Sequence, residues 1–139
     1  MSTTLADYAV LIDTPVQLSA QNGSGKARSK FCRFDLTSTF SADVKPVLMF
    51  RTTVLDKRTR VNVYVNPEAT ENTSSGFPVN EDYFAELPDG YFGLHMECLD
   101  GGKFKKGQEN TIAFTISGDG TKFGDVIIGD AVLNIQRVV

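Results

Sequence analysis

The stretch Thr59-Arg60-Val61-Asn62-Val63-Tyr64-Val65-Asn66 decides the fold class. Val61, Val63 and Val65 fall on one side of an extended chain, and Arg60, Asn62, Tyr64 and Asn66 fall on the other. Successive side chains of a strand point to opposite faces, so this period of two predicts a strand with one face on a core and one towards water. The alternation recurs. Cys32, Phe34 and Leu36 alternate with Arg33 and Asp35. Phe92, Leu94, Met96 and Cys98 alternate with His95 and Glu97, and Ile112, Phe114 and Ile116 alternate with Thr111, Ala113 and Thr115.

Turn residues separate these runs. Asp89-Gly90, Asp100-Gly101-Gly102 and Asp119-Gly120 supply the positive-φ positions that tight turns need, and Asp56-Lys57-Arg58 reads as a short hairpin connection. Pro46 opens a strand and Pro67 closes one, because proline cannot donate to a ladder. The resulting strands span residues 7–12, 15–20, 28–38, 46–55, 59–66, 91–99, 109–117, 124–128 and 130–137. The only helical signal is one turn over residues 81–87, with Asn80 as its cap and Tyr83, Phe84 and Leu87 on one side. About nine antiparallel strands in a chain this short call for two packed sheets. An all-β antiparallel sandwich of jelly-roll or Greek-key topology is therefore expected, with a closed barrel as the other closure. The expected core is Phe34, Leu36, Leu48, Phe50, Val61, Val63, Val65, Leu94, Met96, Ile112, Phe114, Ile116, Leu133 and Ile135.

At 139 residues the chain fits one domain, residues 1–139, large enough to bury its own core. Fourteen Lys and Arg against 17 Asp and Glu give a formal charge of −3, which argues against a general polyanion binder and so against nucleic acid as a partner. No apolar run approaches the length of a spanning helix, so no membrane partner is expected. The first residues lack the basic and apolar regions of a secretory signal, which places the chain in the cytoplasm as written, or outside the cell if a signal peptide has been removed.

Several candidate chemistries fail on spacing. Gly23-Ser24-Gly25-Lys26 lacks the first glycine and the final Ser or Thr of a phosphate-binding loop. Residues 118–124 miss the dinucleotide fingerprint by one position and read as a hairpin loop. A single histidine, His95, cannot supply a His-based zinc cluster, and no metal site or cofactor is expected, although a structural calcium assembled from separate loops stays open. Asn22-Gly23-Ser24 and Asn72-Thr73-Ser74 match the glycosylation triplet, which is frequent by chance. Cys32 and Cys98 occupy the apolar phase of their strands and are expected to face inward and stay reduced; a bridge remains open if their strands are neighbours.

A family resemblance runs over about residues 46–137. Its elements are Pro46-Val47-Leu48-Met49-Phe50-Arg51, then Arg60-Val61-Asn62-Val63-Tyr64-Val65-Asn66, then Lys105-Lys106-Gly107-Gln108-Glu109-Asn110-Thr111-Ile112, then Ile127-Ile128-Gly129-Asp130-Ala131-Val132-Leu133. In this order they resemble the galactose-binding-like jelly rolls found as carbohydrate-binding modules and as C-terminal domains of polysaccharide lyases. The resemblance implies a non-catalytic module with a polysaccharide or glycan as ligand. The chain departs from such modules in having no Trp to stack on a sugar; Tyr8, Tyr64, Tyr83 and Tyr91 are its substitutes.

The residues themselves point to a binding face made of Arg60, Asn62, Tyr64, His95 and Glu97, which alternate outward from two strands in the expected arrangement. Planar polar groups beside an aromatic ring suit sugar hydroxyls and C–H faces. His95 and Glu97 would sit side by side, but no nucleophile or paired carboxylate completes a catalytic set, so no enzyme is expected. The alternative is a structural or assembly protein making homo-oligomeric or partner contacts through strand edges and aromatic loops.

Overall fold

In the computed structural model the described residues are 4–19, 28–55, 57–69, 71, 77–78, 80–118 and 124–138. The polar loop at residues 21–26, both glycosylation triplets and the hairpin tip at 119–123 lie outside them. The chain forms β1 (Thr4–Ile12), β2 (Val16–Leu18), β3 (Ser29–Asp35), β4 (Val47–Val54), β5 (Thr59–Val65), β6 (Tyr83–Leu87), β7 (Phe92–Cys98), β8 (Glu109–Ser117) and β9 (Val126–Val138). One sheet has the order β1-β9-β4-β7, with β2 continuing β1 along the same flank of β9; the other has the order β3-β8-β5-β6. All pairings are antiparallel. The result is the expected two-sheet sandwich, not a closed barrel.

The inner faces meet through Leu48, Phe50 and Val54 of β4, Val61 and Val63 of β5, Ile112 and Phe114 of β8, and Leu133 of β9, all buried. Phe50 and Phe114 bridge the two sheets edge to face, with ring centroids 5.2 Å apart. This geometry suits the aromatic quadrupole and adds to the burial of both rings. Ten of the expected core residues are buried, while Phe34 and Ile116 are half-buried against that core.

Three local readings are corrected. Residues 83–87 form a strand instead of a helical turn, because pairing with β5 gives their backbone a full ladder. There Tyr83, Ala85 and Leu87 turn towards the core and Phe84 and Glu86 away. The two expected C-terminal strands are one strand with a bulge. A single residue separates Met49 from Arg51 on β4, whereas two separate their partners Val132 and Gly129, and Asp130 takes φ 50. The buried positions accordingly shift from Val126 and Ile128 to Ala131, Leu133 and Ile135, and this change of phase reads as a break in the sequence.

The third correction concerns β7, whose faces are reversed. Leu94, Met96 and Cys98 are exposed and His95 is buried. Position 50 on β4 sits opposite His95, and since Phe50 must enter the core, His95 enters with it.

The buried Asn110 explains the Lys105–Ile112 stretch that carries the family resemblance. Its side chain donates to the carbonyls of Lys105 and Gln108 and accepts from the Lys105 N–H, closing the turn into β8. The motif is thus a loop staple. Truncating Phe114, fully buried between the sheets, to alanine should lower unfolding free energy by about 3–5 kcal/mol, measured by urea denaturation. A loss under about 1 kcal/mol would contradict its place at the sheet junction.

Candidate functional site

The inward side of β7 carries Gly93, Glu97 and a fully engaged His95. His95 stacks on Phe50 at 4.6 Å and 15°, and its ring nitrogens are hydrogen-bonded to the Thr52 hydroxyl at 2.8 Å and the Tyr83 hydroxyl at 3.1 Å. Burial lowers the His95 pKa, so the ring is neutral at pH 7. Burial, chiefly, raises that of Tyr83, which keeps its proton. Gly93 leaves room for the Tyr91 ring to fold under the strand; a Cβ there would collide with it.

With the odd residues of β7 committed inward, its apolar phase must face out. Phe92 is 68% exposed, Leu94 54% and Met96 61%. The strand register extends this patch across the sheet. Val10 lies opposite Val132, Val132 opposite Met49, and Met49 opposite Met96, so one row of apolar side chains crosses β1, β9, β4 and β7. The adjacent row is Tyr8, Asn134, Val47 and Cys98. On the other side Leu94 flanks Arg51, which is paired with Asp130 at 3.5 Å. Isolated apolar residues are ordinary on a protein surface; this row is contiguous over four strands, with Val10 and Met96 exposed and Val132 and Met49 half-buried.

The five residues expected to form a binding face are divided between the two sheets. Arg60, Asn62 and Tyr64 share the outer face of β5 and are brought together. Arg60 donates from Nε to Asn62 at 2.9 Å, pairs with Glu81 and covers the Phe84 ring at 3.7 Å. Asn62 donates to the hydroxyls of Thr115 and Ser117. Tyr64 is buried against Phe31, and Ala69 and Phe77 pack over this face. His95 and Glu97 lie on the inward side of β7 in the opposite sheet, facing away from the exposed surface, so the five do not line one surface.

Sequence reading missed a polar cleft at the end of β5. It measures about 490 Å³, and its lining includes Asn66, Asp82, Lys103, Lys105, Glu109 and Thr111. Asp82 accepts from the Val65 N–H at 2.6 Å and pairs with Lys103. Asn66, at φ 48, donates to Asn110 and to the Lys103 carbonyl while accepting from the Thr111 N–H. The only sequence signal was Asn66 directly after the strand, at a position where Asn tolerates the left-handed region. Among the described residues no three His, Cys, Asp or Glu side chains gather as a metal site.

No protein-family profile and no curated protein matches the chain. Solved structures share its fold. A chain of the IBDV viral particle is 10% identical with a TM-score of 0.57, over 97% of this chain and 31% of that one. The K3 cleaved adhesin domain of Lys-gingipain from Porphyromonas gingivalis is 14% identical with a TM-score of 0.56, over 93% and 98%. The xylan-binding module CBM15 is 14% identical with a TM-score of 0.50, over 96% and 97%. The chain therefore spans about a third of the viral chain and nearly all of the other two. The fold-level resemblance to jelly-roll carbohydrate-binding modules holds and extends to an adhesin domain. At such identities it defines architecture and leaves function to the site.

The reversal of β7 separates the two thiols. Cys32 is buried, and desolvation raises its pKa to about 11, whereas Cys98 is exposed. Ellman's reagent on native protein should titrate Cys98 quickly and Cys32 only after denaturation. Two equally slow thiols would return β7 to the orientation first expected.

Proposed function

We propose that the chain is a non-catalytic β-sandwich module that works by assembly, associating with further copies of itself through the outer face and free edge of the β1-β9-β4-β7 sheet. The observation that carries this reading is the row Val10, Val132, Met49 and Met96, exposed at its two ends and half-buried at Val132 and Met49, with the exposed Phe92 and Leu94 beside it. Covering one such side chain contributes about 1.5–3 kcal/mol, so a few of them suffice to drive association. Among the described residues the opposite sheet is covered around β5, where Ala69 and Phe77 pack against Tyr64. A viral particle and an adhesin domain, named for two proteins of the same fold, fit a module of this kind. A catalytic role lacks support, since His95 is sealed among Phe50, Thr52 and Tyr83.

Light scattering after size exclusion should give an apparent mass above 15.2 kDa that rises with protein concentration. Leu94→Lys, at an exposed position, should weaken association at least tenfold without loss of folding. A constant 15.2 kDa at every concentration would overturn the reading.

The polar cleft favours a second reading, carbohydrate binding. Its amide, carboxylate and ammonium groups can match sugar hydroxyls, and a xylan-binding module shares the fold. None of Arg60, Asn62, Tyr64, His95 and Glu97 lines this cleft, so on this reading the sugar contacts come from residues other than those five. On this reading affinity electrophoresis in xylan should retard the wild-type chain, and Lys103→Ala should reduce the retardation severalfold. Unretarded migration in xylan and in other soluble polysaccharides removes it.

A further inference from the structure

The backbone of β7 specifies what kind of contact its free side can make. The Val54 N–H donates to the Tyr91 carbonyl at 2.8 Å, and the Leu99 N–H donates to the Pro46 carbonyl at 2.8 Å. Between these ends Thr52 faces Gly93, Phe50 faces His95 and Leu48 faces Glu97. Hydrogen-bonded and non-bonded pairs alternate along an antiparallel ladder. The odd residues from Tyr91 to Leu99 therefore direct their backbone groups to β4. Phe92, Leu94, Met96 and Cys98 direct theirs the other way, and β7 ends its sheet with β4 as its only paired strand among the described residues. These same four residues carry the exposed side chains.

Open edges are ordinarily blunted by charge, proline, bulges or cover. The other three sheet ends are treated in this way. β1 carries a bulge between Val10 and Ile12 and the Asp7–Arg137 pair. β3 presents Lys30, Arg33 and Asp35, and its Phe31 N–H is taken by Glu71 at 2.6 Å. On β6, Glu86 pairs with Arg58 and the Arg60 guanidinium lies over Phe84. β7 has an uninterrupted register with β4, no proline or lysine, and one acidic side chain, Glu97, on its inward side.

We propose that β7 pairs antiparallel with β7 of a second copy about a two-fold axis at His95, joining the two sheets into one. This rests on the self-association reading and gives it a geometry. The strand is self-complementary in that register. It is the only antiparallel register that overlaps all seven residues, and it matches edge-directed residues with edge-directed residues throughout. Leu94 faces the partner's Met96 and Phe92 faces the partner's Cys98, so the exposed side chains meet apolar surface. On the inward side Gly93 faces the partner's Glu97, and His95 faces the partner's His95 as two neutral rings, so no like charges oppose. An isologous contact of this type closes at the dimer and leaves β7 no free edge.

Thiol cross-linking reads the register directly. Opposed residues of a hydrogen-bonded antiparallel pair have Cα atoms about 5.5 Å apart, inside the range a disulfide spans. In Phe92→Cys the introduced thiol would lie opposite the partner's Cys98. Mild oxidation should convert this variant to a covalent dimer on a non-reducing gel, and adding Cys98→Ser should abolish it. Leu94→Cys, opposite the partner's Met96, should stay monomeric on the gel, as should the wild type. Phe92 and Leu94 are exposed, and circular dichroism of each variant confirms that the sandwich is intact. A covalent dimer from Leu94→Cys but not from Phe92→Cys overturns the register. No covalent dimer from either, with light scattering still above monomer mass, overturns β7 pairing and leaves self-association by another surface. A monomer at every concentration overturns both.

Discussion

Phe50 holds three parts of the molecule at once. Its ring meets Phe114 edge to face across the two sheets, stacks on His95 of the neighbouring strand and receives the edge of Tyr83 at 6.1 Å. The first contact fixes sheet on sheet, and the second fixes which way β7 faces. Because residues directly opposite in a ladder share a face, a buried Phe50 forces His95 inward. Thr52 and Tyr83 then satisfy both imidazole nitrogens, which makes burying a histidine tolerable in a core that is otherwise largely apolar.

The surface follows from that constraint. With His95, Gly93 and Glu97 turned towards the inner side, the larger apolar side chains of β7 have only the outer side left. They continue a row that begins at Val10, and they sit on a strand that, among the described residues, ends its sheet without proline or bulge and with Glu97 as its one acidic or basic side chain besides His95. A stable edge strand with this composition is costly unless something covers it, since it invites unselected pairing. A two-fold β7 contact uses the same residues for backbone pairing and for side-chain burial. The opposite sheet is treated differently: Tyr64 and Phe31 are roofed by Phe77, and Arg60 is held by Glu81, Asn62 and Phe84.

Much of the architecture is local and was legible. Alternation in residues 59–65 and 109–117, punctuated by Asp-Gly turns, identifies strands because the period of two is a property of the backbone. Asn110 shows the limit of motif reading: the stretch around it looks like a family signature, and what it does is close a turn. Residues 83–87 satisfied both a short helical stripe and an alternating one, and only the β5 ladder decided between them. The bulge at Asp130 hid the continuity of β9, because one extra residue reverses the phase of every position beyond it.

The sequence by itself determined that the chain is all-β, where most of its strands lie, and which residues share a face within each strand. Only the tertiary structure decided which of the two faces is inside. Alternation is symmetric under exchange of faces, so Phe92, Leu94 and Met96 read as core on hydrophobicity alone. The choice was made by β4, whose register ties His95 to Phe50, by Gly93, which admits the Tyr91 ring, and by the hydroxyls of Thr52 and Tyr83. For the same reason Arg60, Asn62 and Tyr64 came together as neighbours on one strand, while His95 and Glu97 went to the other sheet. Sequence spacing relates residues along a strand, and only the packing of sheets relates one strand's face to another's.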